Sequence, residues 1–130
     1  MRTNIFHKSK SVAAVPAGTA VTAVTNGSTV DLHQGVAGDY RTALFVVQAG
    51  TITDGTHVVT LEHSDNGSVW EAAPDLGTAS FASTDDNAVK DLGYDGAKRY
   101  VRCVITATGA TTGGVFGATA VLYDSAGHQR

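Results

Sequence analysis

Apolar and polar residues alternate with a period of two over much of this chain, and no stretch carries the 3.6-residue period of an amphipathic helix. Strands are predicted over Thr19–Thr25, Ser28–Leu32, Tyr40–Ala49, His57–Ser64, Ala88–Leu92, Lys98–Thr108 and Val115–Tyr123. A short return strand after Ser64 ends in the only tryptophan, Trp70. In His57–Ser64 the odd positions set Val59 and Leu61 on one face beside His57 and His63, so that face is predicted to be core. In Lys98–Thr108, Val101, Cys103, Ile105 and Ala107 alternate with Tyr100, Arg102, Val104 and Thr106. Leu44-Phe45-Val46-Val47 is apolar without alternation, which predicts a strand covered on both faces.

Four Asn-Gly or Asp-Gly pairs punctuate these segments, at residues 26, 54, 66 and 95. Asn66-Gly67 between apolar β-formers predicts a two-residue type I′ hairpin, which needs positive φ at both positions. Trp70, carried by that hairpin, is expected in the core, where its loss would cost about 3–5 kcal/mol. Asn26-Gly27 predicts a second hairpin. About eight short antiparallel strands imply an all-β, jelly-roll-like sandwich over residues 19–124. Residues 1–18 read as an extended arm and 125–130 as a polar tail.

Composition narrows the function classes. The net charge of -3 lacks the cationic footprint of a nucleic-acid surface. It is uneven: Arg2, Lys8 and Lys10 give the first ten residues +3, leaving -6 on the rest. The arm, with Ile5 and Phe6 as its large apolar side chains, is therefore the candidate partner-binding element. Basic residues before Val12-Ala13-Ala14-Val15 look like the start of a signal peptide, but Pro16 and Gly18 break the apolar run. No stretch reaches membrane-spanning length. Cys103 is the single cysteine and sits in an apolar run, so it reads as a small buried hydrophobe.

Candidate chemistry is sparse. No nucleophile turn of the G-x-S-x-G kind occurs. His57 and His63 share a strand face but lie roughly 20 Å apart along an extended chain, too far to share an ion. Asp85-Asp86-Asn87 offers oxygen ligands without the spacing of a calcium loop. No cofactor, metal or catalytic residue is assigned.

Three resemblances are carried by particular residues. Asp65-x-Gly67-x-x-Trp70 resembles the tail of the Asp-box hairpin, with His63 where that motif has Ser or Thr. Ser64–Trp70 and Ala97–Arg102 are similar to segments of discoidin-type carbohydrate- and lipid-binding sandwiches. A third likeness spans nearly the whole chain and is densest in Gln48–His57, Glu62–Gly67, Gly93–Arg102 and Thr108–Gly114. It resembles small tailed-phage virion proteins. That resemblance implies a non-enzymatic capsid decoration (cement) protein, made in the host cytoplasm and bound to the major capsid protein on the outside of the head. It further implies a homo-oligomer, with a trimer as one form, and neither nucleic acid nor membrane as partner. The alternatives are a tail or adaptor protein and a carbohydrate-binding module. The last would need a platform of exposed aromatics, for which Tyr40, Tyr94, Tyr100 and Tyr123 are the candidates.

Overall fold

The computed structural model describes residues 5–33, 40, 42–77 and 79–123. One helical turn, α1 (Ile5–Lys8), leads into β1 (Ser9–Val21), β2 (Thr25–Asn26), β3 (Val30–Asp31) and β4 (Thr42–Ile52). Then follow β5 (Thr56–Ser64), β6 (Glu71–Ala72), β7 (Asp75–Leu76), β8 (Ala79–Phe81), β9 (Val89–Tyr94), β10 (Tyr100–Thr108) and β11 (Gly114–Tyr123). All pairings are antiparallel. One sheet runs β1-β11-β4-β9-β7; the other runs β2-β10-β5-β6, with β3 also on β10 and β8 also on β5. The chain is thus the antiparallel sandwich its alternation predicts, and successive strands from β4 onward cross repeatedly between the two sheets.

Period two explains the core. His57, Val59, Leu61 and His63 on β5 face inward, in register with Ala107, Ile105, Cys103 and Val101 on β10. From the other sheet come Phe45, Val47, Leu92, Phe116 and Leu122. Phe81 and Phe116 meet edge to face at 5.3 Å between centroids, and the His57 ring lies 5.0 Å from Phe116. His57 is fully buried, and its Nε2 lies 3.1 Å from the Asp54 carbonyl, which requires a proton on that nitrogen. Its Nδ1 has no partner among the described residues.

Three expectations are corrected. The arm expected over residues 1–18 is a strand from Ser9 onward: β1 pairs with β11 from Ser9↔Tyr123 to Val21↔Gly114, and Ala14 and Val15 are buried. Its irregular sequence is spent on bulges. Between Val15↔Ala118 and Thr19↔Phe116 four steps of β1 match two of β11, so Pro16, Ala17 and Gly18 bow off the sheet. The Thr19 hydroxyl closes this arch by donating to the Pro16 carbonyl at 2.6 Å. Asn26-Gly27 is not a hairpin turn, because β2 and β3 both pair with β10 and Gly27 marks the break between them. There the Gly27 N–H donates to Cys103 O and the Ser28 N–H to Ala14 O, each at 2.7 Å. A Cβ on Gly27 would lie 2.5 Å from that Ala14 oxygen, so the seam between the sheets closes only around glycine. Finally, β4 is covered on one face alone. Ala43, Phe45, Val47 and Ala49 are buried, while Leu44 is 42% exposed. The polar tail at 125–130 lies outside the described residues.

Candidate interaction surface

The hairpin around Asn66-Gly67 exists, but not as a type I′ turn. Glu62 pairs with Ala72 and His63 with Glu71, so the loop is long, and only Gly67 has positive φ, at 75°. Side chains replace the tight turn. Ser64 Oγ accepts the N–H groups of Asn66 (3.2 Å) and Gly67 (2.9 Å), while Asn66 Oδ1 accepts those of Ser68 (2.8 Å) and Val69 (2.9 Å). The longer loop leaves Trp70 outside the core. It is half-buried on the outer face of the β5–β10 sheet, with the Arg102 guanidinium 4.4 Å from its ring centroid. Arg102 in turn donates from Nε (2.9 Å) and Nη2 (2.7 Å) to Glu62.

A polar network lies beside this loop. Lys98 Nζ binds Asp65 at 2.9 Å and Glu71 at 2.7 Å. Tyr94 Oη accepts the Lys98 N–H at 3.2 Å and lies 2.9 Å from His63 Nδ1. His63 Nε2 lies 3.6 Å from Glu71. Lys98 holds the Glu71 carboxyl below its usual range, the two carboxylates hold the Lys98 ammonium above its own, and burial raises Tyr94. Every charge in the network has its counter-charge, as in a structural brace. Among the described residues no three His, Cys, Asp or Glu side chains gather as a metal site. Burial pushes the Cys103 thiol up to about 12, which leaves it no thiolate for chemistry.

The tyrosines do not assemble into a sugar platform. Tyr40 and Tyr94 are buried, and Tyr100 lies under Gly67 with Arg99 4.9 Å from its ring centroid. Of the candidate partner-binding residues, Arg2 lies outside the described residues. Ile5 begins α1, Phe6 is 61% exposed, and Lys8 and Lys10 are half-buried, Lys10 within β1 opposite Leu122.

The outer face of the β1-β11-β4-β9 sheet carries exposed aliphatic side chains. Alternation places Leu44 and Val46 there from β4, Val115 and Val121 from β11, and Val89 from β9. Register makes them neighbours: Leu44 faces Val121, Val46 faces Thr119, and Gln48 sits between Gly117 and Val89. Asp91 is the one charge that these three strands present on this face. A solvated sheet face normally reads polar; here the aliphatic side chains are interleaved with Gln48, Thr119 and Asp91. At one end it deepens into a groove of about 440 Å³ between the β1 arch and β4, lined by Ala13, Ala17, Val46, Gln48, Val115 and Gly117 among others. Gly117 lets the arch lie low, since a Cβ there would come 3.2 Å from the Ala17 Cα. The apolar run at 44–47 was the sequence signal for this face.

Among solved structures, the PBSX exported protein XepA shares the fold with a TM-score of 0.62 at 16% identity, over 93% of this chain and 39% of that one. The SPBc2 prophage-derived protein YomS shares it with a TM-score of 0.53 at 12% identity, over 88% of this chain and 91% of that one. The chain therefore spans about two-fifths of XepA and nearly all of YomS. Comparison with protein-family models and with curated sequences gives no match.

Proposed function

We propose that this protein is a structural component of a bacteriophage particle, a cement protein that binds the major capsid protein on the outside of the head. The observation that carries the reading is the largely aliphatic, nearly charge-free outer face of the five-stranded sheet, on a sandwich shared with an exported protein and a prophage-derived one. Four strands about 4.8 Å apart and some ten residues long present roughly 600 Å², close to what one partner contributes to a stable contact. Charge-free surface loses little hydration on docking, and on a symmetric shell each such contact is repeated many times. The braced polar network and the inert thiol fit a protein that holds rather than reacts.

The test is co-sedimentation with decoration-free capsids. Wild-type protein is expected to pellet with them, and Leu44→Lys with Val89→Lys to remain in the supernatant while melting as wild type. Equal pelleting of the double variant removes this face from the contact. No binding by wild type to any capsid form, with retention on a glycan array instead, establishes the carbohydrate-binding alternative.

A further inference from the structure

We propose that the groove under the β1 arch receives Phe6 from a second copy of this chain. The groove is uncharged, with Gln48, Asn87 and Thr119 as the polar members of a mainly aliphatic lining, and its volume of about 440 Å³ admits an aromatic side chain. Phe6 is the exposed large aromatic of the described residues, at 61%, and α1 presents it at the start of β1.

Phe6 cannot fill the groove of its own chain. Ser9 pairs with Tyr123, whereas the groove surrounds Gly117, six residues along β11 and roughly 20 Å away. The three residues from Phe6 to Ser9 span at most about 11 Å. Knob and hole therefore lie at opposite ends of one sheet, and two copies can engage them reciprocally about a two-fold axis or in series as rings or filaments.

Charge favours the same pairing. At the groove end lie Asp54, Asp85, Asp86 and Asp91, with Lys90 as the basic residue of that end, 3.7 Å from Asp85. Phe6 travels with Lys8 and Lys10, and the sequence places Arg2 just before it. The segment that carries Phe6 is thus basic in sequence and the strands and loops near the groove are acidic, and charges of that kind set the association rate and its salt sensitivity.

The contact rests on reading the sheet face as an interface but not on the capsid, so it is tested on the isolated protein by sedimentation velocity at about 100 μM, where a micromolar contact is nearly saturated. Wild type is expected to form oligomers that dissociate as salt is raised. Phe6→Asp, at an exposed position, and Thr119→Lys, on the outward face beside the groove, are each expected to weaken association at least tenfold. Mixing the two variants is the decisive arm. Each retains the half that the other lacks, so the mixture is expected to form a heterodimer and nothing larger. A monomeric wild type, a Phe6→Asp protein that oligomerises as wild type does, or a mixture that stays monomeric overturns the proposal. Capsid co-sedimentation of Phe6→Asp separates the two readings, since decoration by monomers would survive the loss of self-association.

Discussion

An indole stacked under a guanidinium at the surface contributes far less than one sealed in a core, and Trp70 is of the first kind. Trp70→Ala is expected to lower unfolding free energy by about 1 kcal/mol. Phe81→Ala, which opens a void beside Phe116, is expected to cost about 3–5 kcal/mol. Urea denaturation of the two variants checks the contrast, and equal losses would put the indole in the core after all. Gly67 is a second residue whose role is local. Its φ of 75° is left-handed, but a Cβ there would make only ordinary contact with the Tyr100 ring, 3.7 Å away. Gly67→Ala should therefore cost about 1 kcal/mol through backbone conformation alone. Larger losses would indicate that the loop rearranges.

Elements depend on side-chain clamps where the turns themselves are weak. Asp54, at the β4–β5 connection, accepts N–H groups from Thr111, Thr112 and Gly113, the last at 2.6 Å. Those donors, Gly113 foremost, hold its carboxyl below the ordinary 3.8. A depressed folded value means that the ionised form stabilises the fold. The contribution is complete above 3.8 and is lost as pH falls through the lower folded value. Asp54→Asn is thus expected to lower the urea midpoint at neutral pH, with the gap to wild type closing in acid. A gap independent of pH would assign the effect to geometry instead of charge. At β1, removing residues 1–8 is expected to leave cooperative unfolding intact, whereas removing residues 1–18 deletes most of a strand and should abolish it. Strands with one buried face were legible in the sequence because alternation records burial directly, as in β5 and β10. β1 was not, since its bulges carry Pro16 and Gly18, residues that signal loop in any local reading. The apolar run in β4 was misassigned for a different reason. An apolar run records no alternation, so it cannot tell a strand covered on both faces from one with an aliphatic outer face. The hairpin at Asn66-Gly67 was legible in place but not in type, because the Ser64 hydroxyl that builds the loop carries no period.

For the molecule as a whole, the two sheets enclose Cys103, whose side chain reaches solvent only when they part. Its reaction with a thiol reagent is therefore expected to proceed at the global unfolding rate or through the global unfolding equilibrium, and to slow when a partner binds. Labelling faster than unfolding would reveal a local opening of β10. The same molecule divides its surface by face. Ion pairs such as Arg102–Glu62 cover the outside of one sheet, and the other is left nearly without charge. That division, more than any single residue, carries the reading of a protein built to be covered.

The clamp around Asn66 also bears on chemical ageing. Asn-Gly bonds degrade when the glycine nitrogen attacks the asparagine side-chain carbon, forming a succinimide and releasing ammonia. Here the Gly67 nitrogen is tied to Ser64 Oγ, and the Asn66 side-chain oxygen is fixed by the Ser68 and Val69 N–H groups. At the other such bond the Gly27 nitrogen is tied to Cys103 O. Both sites should outlast an Asn-Gly pair in a free loop. Ser64→Ala should hasten conversion of Asn66 to aspartate and isoaspartate, read by peptide mass spectrometry after prolonged warm storage. On the virion reading proposed above, a particle that persists outside any cell, where damaged copies are not replaced, would gain from that protection.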